Sequence, residues 1–288
     1  MEVGPRDGLQ NESVFIDTPN KIAFISELSA TGLSRIEITA FVSPKWIPSL
    51  ADQLEVARGL KKVNGVTYSA LVPNMKGYEH AINVGINEVS FVLSASNTHN
   101  KKNINTSTDD ALIRYQEIAC RAKIDGIPFR AYISCAFGCP YEGNVSVKLV
   151  SKIAEKLVKL GAYEISIGDT IGIGNPLQTY ELINELSNVV SLEKIALHMH
   201  DTRGLALANI LVALNLGVSS FDSSAGGLGG CPYAPGASGN VATEDLVYML
   251  YSMGIETRIN LDKLCKVSKK IQKLLGRKLP SKVLSVFN

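Results

Sequence analysis

The sequence predicts a single (β/α)₈ TIM barrel, an α/β fold, with extra helical residues at its C-terminal end. Short β-branched segments alternate with longer amphipathic segments through the 288 residues, and chemistry-bearing polar residues recur where the predicted strands end. Strands joined through helices by short connections lie parallel, and eight such units over roughly 250 residues match a barrel. An open doubly wound sheet is the alternative, but no dinucleotide fingerprint follows the first strand.

Seven predicted strands are short, and most are rich in Val, Ile, Phe or Tyr. In chain order they cover residues 35–38, 67–71, 88–93, 129–134, 164–168, 195–200 and 219–222. An eighth strand fits at Glu2 and Val3, close to the first residue. The predicted barrel therefore has a very short closing strand.

Amphipathic helices are predicted between these strands. The segment 146–160 places Leu149, Ile153, Leu157 and Leu160 on one face and lysines on the other, and Gly161 ends it. The same pattern occurs at residues 19–30, 49–60, 109–125 and 176–189. About 35 Lys- and Leu-rich residues follow Met253 and are predicted to be helical. No linker interrupts the chain, so we predict one domain over residues 1–288.

Composition excludes several classes of protein. The formal charge of +2 is too small to indicate a nucleic-acid or membrane surface, and no apolar run reaches the length of a membrane span. Five cysteines, an odd and sparse number, do not indicate a disulfide framework. The N-terminus also shows no signal-peptide pattern. We therefore expect a cytoplasmic protein, with a processed organellar form as the alternative.

Polar residues converge at the carboxyl ends of the predicted strands, the face on which a barrel carries its active site. They are Arg6 and Asp7 after the first strand, Glu37, Asp169 with Thr170, and the pair His198 and His200.

The sequence His198-Met199-His200 has the spacing of alternate residues on a strand, which sends both imidazoles to one side. A pair of core histidines is the alternative, but a second histidine two residues away favours metal binding. Asp7 and Asn240 are further candidate ligands, although spacing alone does not select Asn240. Imidazole, carboxylate and amide donors favour Mg²⁺ or Mn²⁺, and zinc is the less favoured choice.

Four glycines lie beside Cys231 in the segment GGLGGCP, residues 226–232. A surface turn is one interpretation, and a hinged lid that carries a reactive thiol over the barrel mouth is the other. A helix is predicted to begin within residues 238–244, with Asn240 and Glu244 on one face.

The strand at 88–93 is followed by the polar residues Lys101, Lys102 and Asn103. We interpret them as a solvated loop, with a contact for a phosphorylated substrate as the alternative. Cys135 and Cys139 have no second pair at metal-site spacing, so we expect buried or free thiols there.

These motifs together resemble the hydroxymethylglutaryl-CoA lyase family of bacterial type. The resemblance rests on VGPRDGLQNE at 3–12, IEITAFVSPKW at 36–46, IGDTIG at 167–172, HMHDTRG at 198–204 and GGLGGCPYAPGASGNVATE at 226–244. The metal motif is shared with other carbon–carbon lyases and synthases on this barrel, and the cysteine segment is the more specific mark. Ala40 departs from the family pattern, in which serine is common at this position.

The resemblance implies a role for each matching residue. The metal ligands are Asp7, His198, His200 and Asn240, and the catalytic residues are Arg6, Cys231, Asp169, His198, Glu37 and Glu244. Substrate contacts are Arg6, Gln10 and Thr170, with Lys102 and Asn103 near the CoA moiety.

The implied reaction splits 3-hydroxy-3-methylglutaryl-CoA into acetyl-CoA and acetoacetate, in leucine degradation and ketone-body formation. A divalent metal on the C3 hydroxyl lowers its pKa, and the Arg6 guanidinium stabilises the developing oxyanion. Cys231 is the candidate proton donor to the enolate carbon. The base that takes the hydroxyl proton is left open between Asp169 and His198.

The sequence leaves three alternative functions open. A related lyase would act on a different 3-hydroxyacyl-CoA. A Claisen-type synthase on the same barrel usually carries an added regulatory domain, for which the residues after the barrel are too few. A catalytically inactive scaffold would have no need of the metal ligands. We expect no nucleic-acid or membrane partner, and a homodimer by analogy.

Overall fold

In a computed structural model of the chain, residues 1–230 and 239–287 are described. Seven parallel strands form one sheet in which each strand pairs with the next along the chain. They are β1 (Arg35–Ala40), β2 (Thr67–Leu71), β3 (Glu88–Ser94), β4 (Phe129–Ser134), β5 (Glu164–Asp169), β6 (Ile195–Met199) and β7 (Ser220–Asp222). A doubly wound sheet would reverse its strand order at a switch point, so this order excludes it and confirms the barrel.

Residues at the start of the chain connect the two edges of this sheet. Glu2 forms parallel bridges with both Ile36 and Ser223. Its backbone N–H donates to Arg35 O at 3.0 Å, and Val3 N donates to Ser223 O at 2.9 Å. The predicted eighth strand is thus reduced to bridges, because a π-helical turn over Gly4–Gly8 begins directly after it.

The strands alternate with helices that pack around the sheet. The described helices are α1 (Thr18–Ser29), α2 (Gln53–Gly59), α3 (Met75–Asn83), α4 (Asn97–Ile104), α5 (Thr108–Asp125), α6 (Val147–Lys159), α7 (Pro176–Leu186), α8 (Ala206–Asn215), α9 (Thr243–Ser252), α10 (Leu261–Leu275) and α11 (Lys282–Val286). Helices α10 and α11 confirm the extra helical residues after the barrel.

Helix α6 shows how the amphipathic pattern is used. Val150, Ile153 and Leu157 are buried, whereas the predicted face member Leu149 is 43% exposed. Val150 therefore takes the place of Leu149 on the buried face, and the predicted member Leu160 is partly buried against the core.

Helices α3, α4 and α8 lie outside the five predicted segments. Helix α3 contains Gly77, a poor helix former, and α4 has the polar sequence NTHNKKNI with no apolar stripe. Both begin at side-chain caps, Asn74 and Ser96, that accept a backbone N–H. The start of each of these two helices is therefore marked by a side-chain cap, and a search for apolar periodicity does not detect it.

The barrel interior contains a buried charged layer below the carboxyl ends of the strands. Arg130 on β4 is fully buried and donates to Asp222 on β7 at 2.7 and 3.0 Å and to Glu164 on β5 at 2.5 Å. Paired charges of this kind are costly to separate, so the layer holds three strands in register.

No helix in the described part of the chain is both long and apolar enough to cross a bilayer.

Candidate active site and metal centre

A cavity of about 470 Å³ opens at the carboxyl ends of the strands. Residues from the ends of β1 to β6 line this cavity, together with residues of the turn Gly4–Gly8, which follows the bridges formed by Glu2. Eight of the predicted site residues are among the lining residues, namely Arg6, Asp7, Gln10, Lys102, Asn103, Thr170, His198 and His200. The structure therefore brings most of the predicted site to one place.

Asp7, His198 and His200 form a possible metal-binding group, with ligand atoms within 4.8 Å of one another. The Nε2 atoms of His198 and His200 lie 3.7 and 3.9 Å from the same oxygen of Asp7, Oδ2. These separations are too long for hydrogen bonds. Atoms bound to one ion at about 2.1 Å lie roughly 3 to 4 Å apart, so the spacing fits shared coordination.

The charge states of this group suit a divalent cation. Burial would raise the pKa of Asp7, but the Arg6 guanidinium and the two imidazoles lower it to about 2. Burial also lowers the pKa of His200 to about 4. Asp7 is thus an anion and His200 a neutral imidazole with a free lone pair, the forms that bind metal.

Asn240 lies beside this group, but not on a helix. Its amide nitrogen donates to Asp7 Oδ2 at 2.8 Å and to Leu228 O at 3.2 Å. The prediction that Asn240 and Glu244 share one helix face is wrong, because α9 begins only at Thr243 and Asn240 forms an antiparallel bridge with His200. The bridge brings Asn240 to the metal group, and turning its amide over would present the oxygen.

Arg6 is held on two sides at the cavity. Its Nε donates to Glu37 Oε2 at 2.5 Å and its Nη1 to Asp7 Oδ1 at 2.5 Å. No residue in the described part of the chain accepts a hydrogen bond from Nη2, which leaves that nitrogen for a ligand in the cavity. Although burial would lower the pKa of Arg6, Glu37 and Asp7 raise it, so the guanidinium stays charged.

Glu37 is fully buried and does not line the cavity. One of its oxygens accepts from Arg6 and the other from the Ser90 hydroxyl. The structure thus places Glu37 behind Arg6, as a residue that orients the guanidinium.

Asp169 is buried at the end of β5. Its carboxylate accepts the backbone N–H groups of Ile173 and Gly174 at 3.0 and 2.8 Å, and burial raises its pKa. These bonds fix the loop after β5, and the Asp169 side chain is not among the residues that line the cavity. The role of Asp169 as a general base stays a prediction, and in this structure its carboxylate is held by the backbone of its own loop.

Thr170, by contrast, lines the cavity, and its hydroxyl accepts from Cys135 N at 2.8 Å.

Glu244 is also placed away from the cavity. Its carboxylate is fully buried and accepts Gly226 N at 2.8 and 3.0 Å and the Ser268 hydroxyl. It therefore ties α9 and α10 to the start of the glycine-rich segment, and it does not face the metal group. Cys231, the predicted loop thiol, lies outside the described residues.

Glu244 gives a prediction about stability against pH. Burial raises its pKa from 4.5 to about 8, so the folded protein keeps this proton over a range in which the unfolded chain has lost it. The free energy of unfolding is therefore expected to fall as pH rises between these two values. Glu244→Gln should flatten this dependence in urea unfolding curves. The exposed control Glu256→Gln should keep the wild-type slope, and an equally steep slope in Glu244→Gln would contradict the prediction.

The cavity mouth carries positive charge. Lys101, Lys102 and Arg114 line it, and the Lys102 ammonium lies 4.2 Å from the centre of the Tyr141 ring. A solvated position next to an aromatic face leaves this ammonium free to meet an anionic group at the rim.

Two residues near the metal group were not predicted from the sequence. Tyr132 lines the cavity with its ring edge-on to His198, at 5.6 Å between ring centres. The guanidinium carbons of Arg6 and Arg130 lie 5.4 and 4.7 Å from the centre of the Tyr132 ring. Asp222 ends β7 and contacts His198 Nδ1 at 3.2 Å. Strand alternation in 129–134 could have pointed to Tyr132, since Arg130 and Tyr132 share a face.

The cysteines in the described part of the chain, Cys120, Cys135, Cys139 and Cys265, are free thiols.

Comparison with known proteins places the chain among lyases. A family model described as HMGL-like matches residues 1–271. Hydroxymethylglutaryl-CoA lyase YngG of Bacillus subtilis is 53% identical over 286 residues, which cover 99% of this chain and 96% of that protein. A crystal structure of the Bacillus subtilis HMG-CoA lyase, 53% identical, covers 99% of this chain and 96% of its own, with a TM-score of 0.98.

A second solved structure contains ligands. It is an HMG-CoA lyase from Acinetobacter baumannii in complex with coenzyme A and 3-methylmalate. It is 42% identical and covers 99% of this chain and 93% of its own, with a TM-score of 0.95.

Proposed function

The chain belongs to the HMGL-like family, and on that premise we propose that it is a divalent-metal-dependent lyase that cleaves 3-hydroxy-3-methylglutaryl-CoA to acetyl-CoA and acetoacetate. One observation carries the proposal: Asp7, His198 and His200 meet beside the Arg6 guanidinium in a cavity at the strand ends. The reaction needs an oriented hydroxyl and a fixed positive charge, and this arrangement can supply both.

Asp7, His198 and His200 would hold the metal, with the amide oxygen of Asn240 as a further ligand. The donor set combines two nitrogens with oxygens, which suits Mg²⁺ or Mn²⁺ better than a closed zinc site rich in thiolate. When bound, such an ion lowers the pKa of a coordinated hydroxyl and orients the substrate.

Arg6 stabilises negative charge as the C2–C3 bond breaks. The electron pair of that bond moves toward the thioester and forms an enolate, while the C3 hydroxyl loses its proton and becomes the ketone of acetoacetate. Glu37 and Asp7 fix the guanidinium, so its positive charge needs no reorganisation during the reaction.

The base that takes the hydroxyl proton stays open between Asp169 and His198. His198 lines the cavity, and the Asp169 carboxylate accepts hydrogen bonds from its own loop. A metal-bound His198 is a poor base, so a water molecule in the cavity is the alternative acceptor. Return of a proton to C2 is assigned to Cys231 by the family resemblance alone.

An acyl-CoA thioester fits the remaining surface. The diphosphate and 3′-phosphate of CoA are anionic, and Lys101, Lys102 and Arg114 line the mouth. The Acinetobacter relative binds coenzyme A, which supports the same ligand class for this chain.

Lys102→Gln is expected to raise KM for the acyl-CoA roughly five-fold, the equivalent of about 1 kcal/mol for one exposed ion pair, with kcat nearly unchanged. Steady-state kinetics at low and high salt check this, because screening should shrink the difference. Lys159→Gln on the outer surface of α6 is the matched control. A KM for Lys102→Gln equal to that of the control would contradict the contact.

The substrate is tested by product analysis with purified protein. Equal amounts of acetyl-CoA and acetoacetate from 3-hydroxy-3-methylglutaryl-CoA would support the proposal. Faster cleavage of another 3-hydroxyacyl-CoA would move it to a related lyase, and condensation of acetyl-CoA with a 2-oxo acid would move it to a synthase.

We further propose that the chain acts as one barrel domain, as a homodimer and in the cytoplasm, within leucine degradation and ketone-body formation.

A further inference from the structure

We propose that Asp222 is a positioning residue for the metal site, because it holds the His198 imidazole with its hydrogen on Nδ1 and its lone pair on Nε2. The inference deepens the proposed function and rests on its metal site.

Asp222 and His198 are partners across neighbouring strands. They lie opposite each other in the register of β6 and β7, and Asp222 Oδ2 lies 3.2 Å from His198 Nδ1. The other ring nitrogen, Nε2, faces Asp7 at 3.7 Å. The imidazole thus spans a carboxylate on one side and the candidate metal position on the other.

The Asp222 carboxylate is itself fixed from below. Arg130 donates to both of its oxygens, at 2.7 and 3.0 Å, and the Ser166 hydroxyl donates to Oδ2 at 2.8 Å. All three residues are fully or almost fully buried. Because Arg130 and Ser166 both donate to it, the Asp222 carboxylate acts only as a hydrogen-bond acceptor. The Nδ1 atom of His198 must therefore carry the hydrogen and donate it to Asp222. This leaves the Nε2 lone pair for the cation.

His200 lacks the same arrangement. Its Nδ1 is buried and has no hydrogen-bond partner among the described residues. One ligand of the pair is therefore oriented by a carboxylate and the other is not. Carboxylate partners of metal-bound histidines typically change metal affinity about 10- to 100-fold when they are removed.

The tautomer is measured directly in the metal-free wild-type protein. The chain has only four histidines, so ¹⁵N-labelled imidazoles can be resolved by long-range ¹H–¹⁵N correlation and His198 assigned by its loss in His198→Gln. The proposal expects a protonated Nδ1 and an unprotonated Nε2. A protonated Nε2 in the neutral ring would overturn it, and this result does not depend on any Asp222 variant.

Metal affinity supplies the second test. Mn²⁺ binding followed by electron paramagnetic resonance should weaken about 10- to 100-fold in Asp222→Asn. The NH₂ group of asparagine would face a donor in either orientation, Arg130 Nη2 on one side or the His198 and Ser166 donors on the other. Glu164→Gln is the matched control, because Glu164 is also buried and also accepts from Arg130 but has no contact with His198. The control should bind Mn²⁺ about as tightly as wild type.

The outcomes separate the two proposals. If the wild type binds Mn²⁺ and Asp222→Asn binds it equally well, Asp222 has no positioning role and the proposed function stands. If the wild type binds no divalent metal, the metal-dependent function fails and this inference fails with it. Should Asp222→Asn not fold, the wild-type tautomer alone decides the question.

Discussion

Arg6→Lys is expected to lower kcat for 3-hydroxy-3-methylglutaryl-CoA cleavage by about 10²- to 10³-fold, the usual cost of losing one preorganised donor to a developing anion. Lysine keeps a positive charge beside Glu37, so no buried carboxylate is left alone. Lysine lacks the planar guanidinium of arginine, which contacts Glu37 through Nε and Asp7 through Nη1 and still has Nη2 available for the substrate. The loss should therefore appear in kcat rather than in folding.

Three measurements together check the Arg6 prediction: kcat and KM from acetoacetate release, Mn²⁺ affinity and the urea unfolding midpoint. Arg58→Lys at an exposed position of α2 is the control, for which kcat should stay close to that of the wild type. Near wild-type kcat in Arg6→Lys would mean that a compact ammonium suffices, and the guanidinium would lose its assigned role.

His200→Ala is expected to weaken Mn²⁺ binding by at least about 100-fold and to lower turnover at any fixed metal concentration. The reason is geometric: His200 offers one of three potential ligand atoms that lie within 4.8 Å of one another, and alanine removes that nitrogen. High Mn²⁺ should restore part of the activity, since the other ligands remain.

His80→Ala is the matched control, because His80 lies on α3 against Phe41 and away from the cavity. Titration of both variants with Mn²⁺ compares the same histidine-to-alanine change inside and outside the candidate metal site. An unchanged titration in His200→Ala would exclude His200 as a ligand, and weakened binding in both variants would indicate a general loss of structure.

Much of the fold follows from local pattern. The strands at 67–71 and 129–134 are predicted to the residue because β-branched and aromatic runs are bounded by turn residues. The carboxyl ends of the strands then define the catalytic face of a barrel, which explains why the residue order alone is enough to group Arg6, Asp7 and the histidine pair.

The direction of each side chain could not be predicted where loops decide it. Asp169 is the last residue of β5, and its carboxylate accepts hydrogen bonds from the backbone of the next turn. Asn240 reaches the metal group through a bridge to His200, a contact between residues 40 positions apart that no helical spacing describes. Asp222 becomes visible only when the register of β6 and β7 places it opposite His198.

The most direct measurement is acetoacetate release from 3-hydroxy-3-methylglutaryl-CoA by the purified protein after EDTA treatment, and again after Mg²⁺ or Mn²⁺ is restored. We expect almost no release with EDTA and full recovery with either metal, because in the proposed mechanism Asp7, His198 and His200 would hold the cation that orients the substrate hydroxyl. Undiminished release in EDTA by protein shown to be free of metal would contradict the metal-dependent mechanism. A folded, metal-loaded protein that releases no acetoacetate would contradict the proposed substrate.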